Sequence, residues 1–453
     1  MNLSRLLRAR AAAGNPVRVG LIGAGKFGSM FLAQARVTEG LHLVGIADLS
    51  IDRAREALAR TGWEPERYAA RSHDGALGSG ETFVGDDADA LIAADGIDVI
   101  VEATGNPAAG IRHALRCFEY GRHVVMVNVE ADVLAGPLLA RRAAEAGVVY
   151  SMAYGDQPAL ICELVDWARA CGFTVVAAGK GTKYLPVFHA STPDTVWQYY
   201  GRTREEAKAG GMNPQMFNSF LDGTKSSIEM AAVSNATGLL APKDGLLFPP
   251  CGVDDLADVL RPRAAGGQLE QSGMVEVISS VGRDGGPVER DLRWGVYVTF
   301  EGPSDYTARC FKEYGVRTDS TGHYTALYRP YHMIGLELGI SVASAALRKE
   351  PTGSVEGFNA DVVAIAKRDL SEGEMLDGEG GYTVWGRIMR ADDSLNAGAL
   401  PIGLAHKLKL KRPIAAGEVV GWADVTADET DHAVRIRREM EAMFTRANAP
   451  AHA

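Results

Sequence analysis

A glycine-rich turn between an apolar run and a helix-forming segment constrains the fold of this chain more than any other feature. Residues 17–28 read VRVGLIGAGKFG, and the apolar run at their start predicts a buried parallel strand. The glycines have G-x-G-x-x-G spacing: Gly23 permits a tight turn, Gly25 lets a pyrophosphate approach the backbone, and Gly28 lets helix and strand lie close. A helix over 29–37 would direct its first amides toward the phosphates. The pattern therefore predicts a dinucleotide site.

An acidic residue strengthens this prediction. Asp48 ends a second predicted strand, 41–47, and lies about 20 residues beyond the last glycine, where a carboxylate accepts hydrogen bonds from the ribose hydroxyls. Because a carboxylate repels a 2′-phosphate, NAD is predicted over NADP. Arg53 either turns toward such a phosphate, which would admit NADP, or lies exposed on a helix. The predicted cofactor-binding residues are Gly23, Gly25, Lys26, Phe27, Gly28, Asp48, Thr104, Gly105 and Asn128.

Strands and helices alternate through the rest of the first region. The predicted strands are 97–102, 123–127 and 148–151, and the predicted helices are 108–120 and 138–146. Such alternation is typical of a doubly wound parallel sheet of the Rossmann type, whose ligands bind at the carboxyl ends of the strands. Polar residues follow those ends at 104–105, 128–130 and 154–156.

The pattern changes after about residue 157. A helix (159–170), a strand (174–178), a helical stretch (215–235), strands at 275–280, 295–300 and 325–329, and a helix (334–347) indicate an α+β substrate and oligomerisation domain. Short strands then suit a small all-β module, closed by a helix at 432–447. The predicted domains are 1–156, 157–350 and 351–453.

Composition excludes several classes of protein. The 453 residues carry a formal net charge of -10, which argues against a general nucleic-acid binder. No apolar stretch approaches the roughly 18–20 residues that span a bilayer. Residues 1–13 contain arginines without a following apolar block, so no secretory signal is predicted. The five cysteines never show C-x-x-C spacing, and buried free thiols in the cytoplasm are expected.

A dinucleotide enzyme needs a side chain that handles the proton accompanying the hydride. Lys180 is predicted just beyond a strand and between two glycines, where it would reach a cleft, and Lys183 has a similar position. For each, the alternative is a solvated loop lysine.

A second group of charges lies at 222–229. If this segment is helical, Lys225 and Glu229 share a face, and Glu229 is embedded in an apolar run where an unpaired charge is costly. We expect Asp222, Lys225 and Glu229 to serve the substrate site. The alternative is that Asp222 caps a helix and the other two form a surface pair.

Further candidates follow predicted strand ends. Arg329 is predicted to clamp a carboxylate or phosphate, and His332 either shuttles a proton or is structural. Glu130 either meets substrate hydroxyls or fixes its own loop. In sum, the predicted catalytic residues are Lys180, Lys225, Glu229, Asp222 and His332, and the predicted substrate-binding residues are Arg329, Glu130, Lys183 and Asp156.

Several longer strings resemble known families. The sequence EATG at 102–105, after the glycine turn, resembles the nucleotide-binding half of homoserine dehydrogenases and related oxidoreductases. The closer likeness is to deoxyxylulose-phosphate reductoisomerase-like proteins, and the C-terminal module is similar to the SAF domain. The strings that carry the reductoisomerase likeness are MVNVEADV (126–133), AGKG (178–181), DGTK (222–225), EMAA (229–232), NATGL (235–239) and RPYH (329–332).

These resemblances imply an NAD(P)-dependent oxidoreductase that transfers a hydride to or from a small polar, sugar-derived hydroxy or keto compound. The alternative enzyme is a true reductoisomerase of isoprenoid precursor synthesis, which would use NADPH and a divalent metal with Asp156 or Glu229 as conceivable ligands. A non-catalytic NAD-sensing or assembly protein is the alternative of another class. A small-molecule substrate and a homo-oligomer are the expected partners.

Overall fold

The computed structural model describes residues 2–447, without the side chains of residues 446 and 447. The chain forms two compact units: residues up to 160 together with 332–355, and 161–331 together with the residues from 356 onward. The predicted three-part division of the chain remains a prediction. None of the described helices is both long and apolar enough to cross a membrane.

The first unit contains a six-stranded parallel sheet with the strand order β3-β2-β1-β4-β5-β6. This order and the helices between the strands confirm the predicted Rossmann-type fold. The apolar residues of the first strand are at most 2 % exposed, as a strand covered on both faces requires. The strands are β1 (Val17–Ile22), β2 (Leu41–Ala47), β3 (Phe83–Gly85), β4 (Val99–Glu102), β5 (His123–Met126) and β6 (Tyr150–Met152).

For three helices of this unit no bounds were predicted, although each has a sequence signal. Ser50, Ser72 and Asp87 are N-caps whose side chains accept the N–H three residues on, and such residues favour helix starts. The helices of the unit are Leu3–Ala12, Lys26–Ala35, Ile51–Arg60, His73–Ser79, Ala88–Ala93, Pro107–Glu119, Val129–Glu145 and Gly339–Arg348; Gln157–Ala170 carries the chain into the second unit.

Two helix predictions in this unit were misplaced. The helix predicted at 138–146 begins at Val129, because Asn128 caps it and Pro137 is accommodated inside it. The helix predicted at 334–347 begins only at Gly339, because Gly335 has φ +79 and interrupts regular structure before it.

The second unit contains a mixed four-stranded sheet with the order β10-β9-β7-β8. Strands β7 (Thr174–Thr182) and β8 (Met274–Ser279) are parallel, and β9 (Val296–Glu301) and β10 (Tyr324–Arg329) are antiparallel to their neighbours. The prediction that the first of these strands ends at residue 178 was wrong, because it continues through Gly179-Lys180-Gly181.

The single helix predicted over 215–235 is two helices, Pro214–Leu221 and Thr224–Thr237. Gly223 separates them with φ +93, a left-handed conformation that glycine adopts without steric cost. Apart from Lys225, every residue of the second helix is buried. Because nearly the whole helix is buried, its apolar residues are not confined to one face, and the amphipathic pattern in this segment is weak.

The residues from 356 onward form short antiparallel pairs, β11 (Ala360–Ala366) with β13 (Val384–Arg390) and β12 (Met375–Asp377) with β14 (His406–Lys409). These confirm the predicted short strands, but a helix at Ala391–Ala397 was not predicted. The closing helix spans His432–Ala447, as predicted. Further helices of the unit are Val196–Tyr200, Arg204–Ala209, Leu256–Val259 and Asp305–Glu313.

The five cysteines are free thiols. Cys117 and Cys251 are buried as expected, but Cys162 and Cys310 are half-buried and Cys171 is exposed. The prediction of buried thiols therefore holds for two of the five.

Candidate active site

The glycine turn has the geometry that each glycine was predicted to provide. Gly23 has φ +93, and a Cβ there would lie 2.7 Å from the carbonyl oxygen of Ala103. A Cβ on Gly28 would lie 2.3 Å from the carbonyl oxygen of Gly23, so helix and turn are in close contact. A Cβ on Gly25 would meet nothing within 4 Å. The space above Gly25, at the start of the helix Lys26–Ala35, is open for a diphosphate.

The turn borders a cleft of about 650 Å³ in the first unit, within the size range of ligand pockets. Gly25, Asp48, Arg53, Thr104 and Arg112 are among its lining residues. Of the other predicted cofactor residues, Lys26 is exposed, Phe27 packs against the core of the unit, and Gly105 has φ +68.

Asp48 is fixed at the floor of this cleft. Its Oδ2 accepts the N–H of Ala24 at 2.8 Å, and its Oδ1 accepts the N–H of Ser50 at 2.9 Å. The guanidinium of Arg53 lies 2.5 Å from Oδ1, with a side chain that is 57 % exposed. Arg53 is thus the ion-pair partner of Asp48, a role that the sequence interpretation did not include.

A buried polar group lies at the carboxyl ends of β4 and β5. Glu102 is fully buried, and its Oε1 accepts the hydroxyl of Thr104 at 2.5 Å and faces His113 Nδ1 at 3.2 Å. Glu102 Oε2 and Asn128 Nδ2 have no hydrogen-bond partner among the described residues. A Cβ on Gly110 would lie 3.3 Å from the former and 3.0 Å from the latter. Glycine at 110 leaves these two buried polar atoms facing one small space.

The other candidates of the first unit occupy separate positions. Glu130 lies in the first turn of the helix Val129–Glu145 and is half-buried. Asp156 is buried, and its Oδ1 accepts the N–H of Gln157, the first residue of the helix that follows, at 2.8 Å. His332 is half-buried at the start of the segment 332–355.

In the second unit, Lys180 lies inside β7 rather than in a loop beyond it. It is in register with Val277 of β8 and Val296 of β9. The flanking glycines explain this position, since a Cβ on Gly179 would lie 1.7 Å from the carbonyl oxygen of Glu276 and one on Gly181 would lie 1.9 Å from that of Leu292. Glycine therefore lets the neighbouring chain segments approach β7 on both sides of Lys180.

Lys180 forms an ion pair with Glu229 of the helix Thr224–Thr237. Lys180 is 7 % exposed and Glu229 is 4 % exposed. The apolar run around Glu229 had indicated that this carboxylate needs a partner, and the partner is Lys180, another of the predicted catalytic residues. A buried pair of this kind is retained only when both charges are satisfied.

Asp222 has a different partner, which the sequence interpretation missed. It lies between two helices, where its Oδ1 accepts the N–H of Thr224 at 2.9 Å although the N-cap of the second helix is Gly223, and its Oδ2 lies 2.8 Å from Nζ of Lys367. Burial raises the pKa of Asp222, and the charge of Lys367 opposes the increase. The predicted group of three is therefore divided: Asp222 pairs with Lys367 and Glu229 pairs with Lys180, while Lys225 lies one turn before Glu229 and is half-buried. Lys367 directly follows the buried strand β11, a signal comparable to that used for Lys180.

The two remaining candidates lie at strand ends of the second unit. Nζ of Lys183 donates to the carbonyl oxygen of Tyr199 at 2.6 Å. Burial, and then the charge of Arg293, lower the pKa of Lys183. Arg329 is the last residue of β10, and its guanidinium lies 5.6 Å from the ring centre of Tyr331.

Two further buried acids, one in each unit, were not among the predicted site residues. Asp132 Oδ1 accepts the hydroxyl of Tyr150 at 2.9 Å in the first unit, and Glu276 accepts backbone N–H groups at 247, 248 and 277 in the second. Burial raises the pKa of each to about 7. Glu276 carries the same signal as Glu229, a glutamate within an apolar run.

Two family models match the chain in consecutive segments. Residues 17–153 match the model of the oxidoreductase family with an NAD-binding Rossmann fold, and residues 155–338 match the model of the catalytic domain of the oxidoreductase DRL. No curated protein sequence matches the chain. The matches to oxidoreductase models favour an enzyme over a non-catalytic NAD sensor. The predicted likenesses to homoserine dehydrogenases and to the SAF domain stay predictions.

Solved structures resemble the chain distantly. A probable dehydrogenase from Thermotoga maritima is 14 % identical with a TM-score of 0.37 over 74 % of this chain and 90 % of its own. The 1-deoxy-D-xylulose 5-phosphate reductoisomerase from Zymomonas mobilis, in complex with NADPH, is 21 % identical with a TM-score of 0.30 over 46 % of this chain and 58 % of its own. Biliverdin reductase from Synechocystis sp. PCC 6803, in complex with biliverdin and NADP+, is 18 % identical with a TM-score of 0.27 over 38 % of this chain and 48 % of its own. The chain thus covers about half the length of the last two proteins.

The cleft beside the glycine turn and the two matches together identify the class of enzyme. Residues 17–153 resemble the NAD-binding Rossmann domain of an oxidoreductase family, and residues 155–338 resemble the catalytic domain of the oxidoreductase DRL, so both matches indicate an NAD(P)-dependent oxidoreductase.

Proposed function

We propose that this oxidoreductase transfers a hydride between NAD(H) and a small polar, sugar-derived hydroxy or keto compound, and that Lys180 moves the accompanying proton. The observation that carries the proposal is the buried ion pair between Lys180 and Glu229 within the segment that matches the catalytic domain. An ammonium group in the interior of a sheet is costly unless a negative charge accompanies it. Glu229 supplies that charge.

Lys180 is the proton donor in the proposed reduction. When bound, the nicotinamide supplies or accepts the hydride. As the C–H bond forms, the ammonium of Lys180 stabilises the negative charge that develops on the carbonyl oxygen and gives that oxygen its proton. In the direction of oxidation, the amine of Lys180 takes the hydroxyl proton. Glu229 is a positioning residue, since it orients Lys180 and compensates its charge.

NAD is proposed as the preferred cofactor because of Asp48. Its carboxylate is fixed by two backbone N–H groups at the floor of the cleft, so it cannot turn away from a ribose placed above it. Two ribose hydroxyls would donate to it, whereas a 2′-phosphate would meet its negative charge. Arg53 neutralises part of that charge. The preference for NAD over NADP is therefore reduced but not reversed.

A reductoisomerase reaction would imply a divalent metal. Among residues 2–447, no group of three or more His, Cys, Asp or Glu side chains is arranged to hold one, and the carboxylate of Glu229 contacts an ammonium. The arrangement does not fit a metal site of that kind, and no step of the proposed reaction uses a metal.

The proposal is tested by a substrate screen followed by substitution. Small hydroxy acids, ketoses and sugar phosphates are supplied with NADH or NAD, and the nicotinamide absorbance is followed. With the best compound, Lys180→Ala should lower kcat by at least about 10²-fold, the usual contribution of a proton donor, without changing NADH affinity. Lys208→Ala, which removes an exposed lysine of the helix Arg204–Ala209, is the matched control. An unchanged kcat in Lys180→Ala would remove this lysine from the mechanism.

A further inference from the structure

We propose that Lys183, Arg293 and Tyr200 form a binding site for a substrate oxyanion, a phosphate or a carboxylate. The inference deepens the proposed function and rests on it, because it assigns a negatively charged group to the same small substrate.

Two segments of the second unit approach each other closely at Gly181. A Cβ on Gly181 would lie 1.9 Å from the carbonyl oxygen of Leu292 and 3.0 Å from the backbone nitrogen of Arg293. The N–H of Gly181 donates to the carbonyl oxygen of Gly295 at 3.1 Å. Only glycine permits this contact. The contact places Arg293 beside Gly181 at the end of β7, and Lys183 follows Gly181 two residues later.

A contact of Lys183 brings Tyr200 to the same region. Nζ of Lys183 donates to the carbonyl oxygen of Tyr199 at 2.6 Å, so the end of the short helix Val196–Tyr200 is held against the lysine. Tyr200 is half-buried, and burial raises the pKa of its phenol while the charge of Arg293 lowers it. The aromatic segment after Lys183, which the cofactor site does not use, thus contributes the phenol of Tyr200, the neighbour of the residue that Lys183 contacts.

The charge balance of this region favours a bound anion. Within the described part of the chain, neither Lys183 nor Arg293 forms an ion pair with a carboxylate. The nearest acid in sequence, Asp291, uses Oδ1 to accept the backbone N–H of Arg293 at 2.8 Å. The guanidinium of Arg293 lies 5.0 Å from the ring centre of Trp294. The positive charges of Lys183 and Arg293 repel each other, and an anion bound between them would attract both.

The chemistry of the three groups selects an oxyanion. Arginine offers parallel N–H donors that match the oxygens of a phosphate or carboxylate, lysine adds a compact charge, and a phenol adds one more donor. None of the three groups has to accept a hydrogen bond, so all three can donate one to the anion. A neutral hydroxyl or a cation would gain much less from such a site.

The test uses the full chain at saturating NADH, which fills the phosphate-binding turn of the first unit. Binding of inorganic phosphate and of acetate is followed by the broadening of their NMR lines. Lys183→Met and Arg293→Gln should each weaken binding at least about tenfold, as expected for the loss of one charge-assisted hydrogen bond, and Arg293→Lys should recover part of it. Lys208→Met is the matched control and should bind as the unchanged protein does.

The outcomes separate the sources of the anion. Tighter binding of phosphate identifies a phosphorylated substrate, and tighter binding of acetate identifies a carboxylate. The proposal is overturned if the unchanged protein binds neither ion, if Lys183→Met and Arg293→Gln bind as it does, or if Lys208→Met weakens binding equally. Because these measurements need no turnover, a substrate screen without any active compound would refute the proposed reaction and leave the anion site standing.

Discussion

Substitutions at two glycines of the dinucleotide turn should separate effects on folding from effects on cofactor binding. Gly25 has φ -66 and open space around its ideal Cβ, whereas a Cβ on Gly28 would lie 2.3 Å from a backbone oxygen. We therefore expect Gly25→Ala to fold normally and bind NADH poorly, and Gly28→Ala to fold poorly.

The magnitudes follow from these contacts. Replacing Gly25 stabilises the fold by restricting the unfolded chain, by about 0.4–1 kcal/mol, but alanine is a poorer N-cap than glycine by a similar amount. The free energy of unfolding should thus change by less than about 1 kcal/mol. At Gly28 the obstructing atom belongs to the backbone, which does not rotate away, so a loss of about 1–3 kcal/mol or more is expected.

Urea unfolding followed by circular dichroism measures the stabilities, and quenching of protein fluorescence measures NADH affinity. Gly25→Ala should lose at least about tenfold in affinity, equivalent to about 1.4 kcal/mol. Gly78→Ala, a substitution without close contacts in the helix His73–Ser79, is the control and should bind as before. If Gly25→Ala were folded and bound NADH normally, the diphosphate would not approach the turn where we place it.

Three further perturbations test other parts of the structure. Asp48→Ser should lower the ratio of NADH affinity to NADPH affinity by about tenfold, since it removes the repulsion of the 2′-phosphate. Calorimetric titration measures both affinities, and an unchanged ratio would contradict the assignment of Asp48 to the ribose. Arg437→Met should lower the free energy of unfolding by about 3–5 kcal/mol because it leaves buried Asp361 without its guanidinium partner, while half-buried Arg438→Met should cost under about 1 kcal/mol; equal losses in urea would refute this. Burial raises the pKa of Asp132 to about 7, so the folded protein holds this proton more tightly than the unfolded chain does, and the associated stability is lost as the pH rises from 3.8 through about 7. Asp132→Asn should flatten that part of the curve of stability against pH, and an unchanged slope would show that the carboxyl does not titrate there.

Local signals predicted the first unit well. Gly28 lies against the carbonyl oxygen of Gly23 within the turn, Gly25 borders open space at the helix start, and Asp48 accepts the N–H of Ala24. The glycine spacing lies within a single turn, so its steric requirement is visible in the sequence. The strand 41–47 and the helix at 432–447 were predicted with the bounds observed.

Pairings between distant residues were not predictable in the same way. Glu229 in an apolar run indicated that a partner was needed, but it did not indicate which of the cations would serve. Lys180 lies 49 residues away in sequence, and its strand position depends on contacts at Gly179 and Gly181 with other segments. Lys367, the partner of Asp222, directly follows β11, and sequence periodicity does not show which segment the end of that strand lies against.

The proton transfer assigned to Lys180 is the central claim, and single-turnover oxidation of NADH tests it most directly. The unchanged protein and Lys180→Ala, both saturated with NADH, are mixed with the best carbonyl compound of the screen, and the decay of nicotinamide absorbance is recorded. The account predicts that Lys180→Ala binds NADH as tightly as before and oxidises it at least about 10²-fold more slowly. An equal rate of decay in the two proteins would contradict it.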